Sequence, residues 1–293
     1  MKRHILTAIL IGISSLFFFQ CSKQRIEEEL ITYESLDDYF ESKKPEEQEF
    51  IIDTLGTCPI VGNLGTHICV DKSNLQFSDG DSIYFPFILK LVELYSPKDM
   101  IYFYMSHIND VGLYGCEGVT RVRFFKNDEE LELRNQGVWS LEMPSLSPQE
   151  SISVMYQDKS KQNIRFTTSS ETFTVIDYGY SALIQQTGWT SAGKTILNQN
   201  VVKLSFDSET DDLNTVTMYV YLPDYKCLVH VQNPYEGVSL PINAAVKIVG
   251  IAIDSDEQLY SYTHESTLEV ETVIPVVFSE TTDAVLTSVL NAL

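Results

Sequence analysis

From Phe50 onward the chain alternates between short apolar runs and clusters of turn-forming residues. Ile51–Ile52, Cys58–Val61 and His67–Val70 come first, set apart by Gly56, Gly62 and Gly65. Runs this short, rich in β-branched and aromatic residues and bounded by glycine, predict strands. Asp79-Gly80-Asp81 marks a turn, and Ile83 to Tyr95 is then apolar on both faces, with Pro86 at a bend or a sheet edge. Further strands are expected over Met100–Met105, Val119–Phe125 and Glu130–Arg134. No helix-length amphipathic pattern intervenes, so the fold class is all-β.

Pro144 and Pro148, with Ser145 and Ser147, mark a boundary or an inter-strand loop. Strands resume over Ser151–Tyr156, Asn163–Thr168 and Thr172–Ile176. A second block runs through Val201–Phe206, Thr215–Leu222, Cys227–Val231, Ala245–Ile253, Leu259–Thr263 and Leu268–Phe278. Asp254 to Glu257 reads as the turn of a hairpin within it. The clearest helix closes the chain. Ser279 is its expected cap, Glu280 and Asp283 complement its dipole, and Val285, Leu286, Val289, Leu290 and Leu293 form its apolar stripe, expected to pack on the second β domain.

Ahead of these blocks the pattern differs. Lys2, Arg3 and His4 precede an apolar run from Ile5 to Phe19, and Gln20-Cys21 is followed by polar residues. This order is that of a secretory leader, too short for a transmembrane helix. A cysteine at its end points to a bacterial lipoprotein with Cys21 as the lipid-bearing residue. From Ser22 to Glu49 the chain is charged and linker-like; Ser35 could cap a short helix through Phe40, but an acidic tether is the simpler reading. The expected divisions are therefore a leader over 1–20, an acidic tether over 21–49, a β-sandwich-like domain over 50–145 and a second over 146–293.

Charge narrows the partners. The net charge of −21 becomes −23 once Lys2 and Arg3 leave with the leader. Such a surface repels phosphate backbones and anionic lipid headgroups, which argues against nucleic acid and leaves membrane attachment to the lipid on Cys21. Cys58, Cys69, Cys116 and Cys227 show no metal-ligand spacing. Cys58 and Cys69 flank a hairpin-like loop; with the turn centred between Asn63 and Leu64 they would face each other closely enough for a disulfide. The other reading is two buried thiols, and Cys116 and Cys227 have no evident pairing.

Chemistry is sparse. His67 and His230 sit within strand patterns, where a structural histidine is the plainer reading, and no Gly-x-Ser-x-Gly elbow is present. Gly188 to Thr195 lacks the first glycine of a phosphate loop and a preceding βα unit. Asp207 to Asp212 alternates acidic positions but lacks the glycine and glutamate of a Ca²⁺ loop. Tyr102 and Tyr104 would share one side of the strand over Met100–Met105, a candidate face for stacking a glycan.

Three stretches carry a resemblance: Asp53 to Ile60, Gly65 to Val70, and Val92 to Met100 with its Glu93-Leu94-Tyr95 and Asp99-Met100 pairs. They resemble secreted and lipoprotein sequences of Bacteroidota bearing a β-sandwich similar to the ZU-type domain of ankyrins and netrin receptors. The similarity spans Phe50 to Ser140, and Gly188-Trp189 opening a β block that ends in a helix is similar to the second half of such proteins. The resemblance implies a non-enzymatic envelope protein. The expectation is thus an outer-membrane, lipid-anchored protein that binds or scaffolds an envelope protein partner. A glycan-binding surface lipoprotein is the alternative and a carboxylate-based hydrolase the third reading. No catalytic residue, metal or cofactor is assigned.

Overall fold

In a computed structural model of the chain, which describes residues 32–54, 58–109, 111–160, 164–196 and 200–293, strands dominate and the fold is all-β. The leader and Cys21 lie outside the described residues.

The first block supplies β1 (Gln48–Ile52), β2 (Ile60–Val61), β3 (His67–Val70), β4 (Phe87–Leu94), β5 (Gly112–Lys126) and β6 (Trp139–Pro144). It continues with β7 (Ser153–Gln157), β8 (Phe166–Thr172), β9 (Thr174–Ile176), β10 (Gly179–Ile184) and β11 (Gly188–Thr195). One sheet runs β1-β4-β5-β11-β7-β8, with two short strands beside β5, and the facing sheet runs β9-β10-β6-β3-β2. Between them lies a core that includes Ile68, Leu89, Phe124, Trp139, Leu141 and Tyr180. β10 pairs with β6 and β11 with β5. Strand pairing therefore crosses the boundary expected at 145/146, because Pro144 and Pro148 flank a loop that returns the chain to the same sandwich. In the ladders the break falls after Thr195.

The second block holds β12 (Val201–Asp207), β13 (Thr217–Leu222), β14 (Cys227–Val231), β15 (Val238–Pro241), β16 (Ala245–Ile253), β17 (Leu259–Thr267), β18 (Thr272–Pro275) and β19 (Ser279–Glu280). Its sheets run β15-β12-β18 and β14-β13-β16-β17-β19 around Leu204, Phe206, Met218, Val220 and Ile248. The turn at Asp254–Glu257 joins β16 to β17 in antiparallel register, as the pattern predicts.

A third core joins the two sandwiches. α1 (Leu36–Lys43), α2 (Pro97–Tyr102) and α3 (Asp283–Asn291) contribute Tyr39, Phe40, Ile101, Leu286 and Leu290 to it. Val92 and Leu94 reach it from β4, whose Phe87, Leu89 and Leu91 fill the first core instead. Tyr219, Val249 and Ile251 reach it from the second block. The two-sided apolar pattern of Ile83–Tyr95 thus reflects a strand buried between two cores.

Four expectations are overturned. Met100–Met105 is not a strand: Ser96 caps α2 through Asp99 N, and Pro97 fits its first turn. The tether ends earlier than Glu49, because Ser35 caps α1, Tyr39 and Phe40 are fully buried, and β1 pairs β4. The cap of α3 is Thr282, accepting from Val285 N, since Ser279 and Glu280 pair with β17. α3 also packs against α2 and not on the second block alone.

Candidate functional site

A cleft of about 330 Å³ lined by convergent polar groups lies where the sandwiches meet. Its lining includes Glu117, Gln149, Lys194, Asp224, Tyr225 and Lys226. β5 builds one wall. Along its ladder with β11, Ala192 pairs with Gly118 but Gly193 pairs with Cys116, so Glu117 is the extra residue of a β-bulge. A bulge re-aims the side chains around it. Before it, Tyr114 and Cys116 face the core between the sandwiches; after it, Val119 does. Glu117 is left in the cleft wall, its side chain 8% exposed.

The opposite wall is the turn at Pro223–Tyr225 and the residue after it. Lys226 takes a left-handed φ of 48° and places its ammonium 2.7 Å from Glu117 Oε2. The two backbones touch: Cys116 N donates to Lys226 O at 3.0 Å. A Cβ on Gly115 would stand 2.3 Å from Tyr225 O, so only glycine allows this approach. An ion pair, a backbone hydrogen bond and a glycine thus shape the junction at the cleft. The remaining lining carries charges of both signs, and Lys194 Nζ donates to Glu150 O at 3.3 Å. An arrangement of this kind can hold a polar ligand or segment by charge and hydrogen bonding.

The residues singled out from sequence do not converge there. Cys58 and Cys69 form a disulfide with Cα atoms 5.2 Å apart. The hairpin is centred on Leu64, since Ile60 pairs with Ile68 and Val61 with His67, so the cysteines sit one position off direct opposition. Gly65, at φ 94°, supplies the left-handed residue that a three-residue loop needs. Tyr102 and Tyr104 form no shared face. Tyr102 is 3% exposed on α2, and Tyr104 turns at φ 53° to hydrogen-bond Asp37. The helical turn replaces the alternation that a strand would have given them.

Gly188 to Thr195 is β11, paired on both sides. In the 207–212 loop, Asp211 Oδ2 accepts from Ser208 Oγ and Thr210 Oγ1, which makes that loop a hydrogen-bonded surface turn. Among the described residues no three His, Cys, Asp or Glu side chains are grouped to hold a metal ion. Cys116 and Cys227 are free and buried; burial pushes the Cys116 thiol up to about 11, and Cys227 above its usual value. Burial lowers His107 to about 3 and His230 to about 4, so both rings are neutral. His107 Nδ1 accepts from Leu228 N at 2.9 Å, a bond that ties the blocks together. His67 is not part of the cleft lining and sits partly exposed on the outer face of the β9-β10-β6-β3-β2 sheet.

Compared with known proteins, the chain matches no family model and no curated sequence. Among the described residues, no helix is long and apolar enough to cross a membrane.

Proposed function

We propose that this chain is a lipid-anchored outer-membrane protein that works without catalysis, holding an envelope protein partner at the cleft between its sandwiches. The observation that carries the reading is the Glu117–Lys226 pair, set by a bulge on one block and a left-handed residue on the other. A side chain on a strand and one on a tight turn, converging from two blocks, suit recognition. The ZU-type resemblance over Phe50–Ser140 and the lipid on Cys21 belong to the same proposal.

The test is cross-linking in intact cells, with the wild type set beside Glu117→Gln and Lys226→Met. One partner recovered at near-equal amounts, and lost in both variants while their folding midpoints hold, supports the reading. A partner recovered equally from all three places contact elsewhere and ends the assignment of the cleft. A glycan is the second reading, favoured by the small cleft volume and by Tyr225 and Gln149 in its lining. A glycan panel returning one saccharide that Gln149→Ala no longer binds would replace the partner by that sugar.

A further inference from the structure

Most of β17 forms an open sheet edge. It runs antiparallel to β16 in unbroken register, from Leu259 opposite Ile253 to Thr267 opposite Ala245. On its other side β19 pairs only with Tyr260 and Ser261. Among the described residues, Tyr262 to Thr267 therefore have no strand on their outer side. Two bonds at the strand ends fix which backbone groups face that side: Leu268 N donates to Ala244 O, and Thr281 N donates to Leu259 O. In an antiparallel ladder successive residues turn their N–H and C=O alternately to one neighbour and the other. Tyr262, His264 and Ser266 thus bond β16, while Thr263, Glu265 and Thr267 aim theirs at the free edge.

Edges of this kind are normally blunted by proline, lysine or a bulge. The second sandwich does so elsewhere. β15 and β18 end in Pro241 and Pro275, and His107 N covers β14 by donating to Leu228 O at 2.7 Å. The run from Tyr262 to Thr267 has no proline, glycine or lysine, and its register has no bulge. Side-chain surfaces flank it on both faces. Toward α3 lies a groove of about 350 Å³ whose lining includes Thr263, Glu265, Lys247, Val289 and Leu293. On the other face the rings of Tyr262 and His264 stack 7° from parallel, and Tyr262 Oη donates to Pro275 O at 3.3 Å. Val277, next to a Phe278 whose ring lies 6.2 Å from that of Tyr262, is 63% exposed. A strand added at this edge sends alternate side chains to the groove and to the aromatic face.

We propose that the free edge of β17 takes an extended segment of another protein as an added strand, with a basic side chain opposite Glu265. The charge of the edge selects that occupant. Glu265, Glu269 and Glu271 are exposed, and Lys247, 3.8 Å from Glu265, also donates to Ala292 O. A second copy of this chain fits worse, since it brings the same glutamates and a net charge of −21 against −21. The edge is separate from the cleft and does not depend on what the cleft binds.

The probe is a short end-capped peptide alternating valine and lysine, added to the full chain, with amide hydrogen exchange read residue by residue. Binding should slow exchange at Thr263, Glu265 and Thr267 by at least about tenfold, while Tyr262, His264 and Ser266 change little. A fully N-methylated peptide of the same sequence, which has no N–H to donate, should not bind. Glu265→Pro removes one outward N–H and spares the ladder to β16, so it should abolish binding. Glu265→Lys keeps the backbone and should reverse the preference toward a peptide alternating valine and glutamate. A melting curve for each variant separates lost binding from lost folding, and Glu265→Lys carries the test if the proline variant proves unstable. No binding, equal binding of the N-methylated peptide, or protection confined to other amides would overturn the proposal. So would protection of these three amides before peptide is added, which would mean that a second copy or another segment of this chain already covers the edge.

Discussion

Asp283 accepts a hydrogen bond from the phenol of Tyr39 at 2.9 Å, across a sequence separation of 244 residues. The same carboxylate holds Lys43 at 2.7 Å, so the first turn of α3 clamps α1 into the shared core. Burial, Tyr102 and Asp283 together drive the Tyr39 phenol well above its ordinary pKa. Asp283→Ala leaves that buried hydroxyl without its acceptor, which costs about 1–3 kcal/mol, whereas Tyr39→Phe removes the hydroxyl altogether and costs about 1 kcal/mol. In the double variant the two losses should fall short of additivity. Urea midpoints of the four proteins measure the coupling, and strict additivity would show that the bond contributes nothing.

Glu93 is 3% exposed, and its carboxylate accepts from Gln48 Nε2 at 2.8 Å, Leu64 N at 2.9 Å and Thr66 N at 3.0 Å. A buried carboxylate with three donors organises the disulfide hairpin and pins it to β4. Glu93→Gln turns an amide group toward a donor and should cost about 1–3 kcal/mol. Gly62→Ala should be at least as damaging, because its Cβ would stand 2.6 Å from the Glu93 carboxyl carbon. Denaturant midpoints test both; an unchanged midpoint in Glu93→Gln would mean that the loop holds itself.

Acid should unfold this protein early, through His107 and His230. Burial lowers their pKa values from 6.5 to about 3 and about 4. The unfolded chain then binds a proton at each site below pH 6.5 while the folded chain does not. Stability is therefore full above pH 6.5 and falls as pH drops toward 4, by about 1.4 kcal/mol per pH unit for each ring. His230→Asn removes one of these protons, so its stability curve between pH 6 and pH 4.5 should be shallower by that amount. Equal slopes in variant and wild type would refute the assignment to His230.

What could be read in the chain divides by the range of the interaction. Local signals were legible: the glycines that bound β2 and β3 and the turn at Asp254–Glu257 each act within a few residues. α2 was missed, although Ser96-Pro97-Lys98-Asp99 carries a helix start, because six residues are too few to show a period. Val285 was placed on the α3 stripe yet is 55% exposed, since the shared core reaches only Leu286 and Leu290 fully. The cleft depends on contacts more than 100 residues apart, such as Glu117 with Lys226, which no spacing reveals. One signal was available: Gly115 and Gly118 flank Glu117 just ahead of the strand expected over Val119–Phe125, and isolated glycines in a strand mark a bulge or a close backbone approach. Both are found.

Gly115 gives the sharpest test of the junction. Its missing side chain lets β5 lie against the Pro223–Tyr225 turn, and Tyr225 O is backbone, which cannot rotate away. Gly115→Ala must push the turn outward or bend β5. Overpacking of this kind costs about 1–3 kcal/mol. The displacement should also stretch the bond from Cys116 N to Lys226 O and part Lys226 from Glu117. Hydrogen exchange at the Cys116 amide reads this directly and should quicken in the variant, while amides in β6 and β10, within the other sheet, keep their protection. Uniform loss of protection would mean that the glycine supports the whole sandwich, and unchanged exchange at Cys116 would mean that the junction has slack.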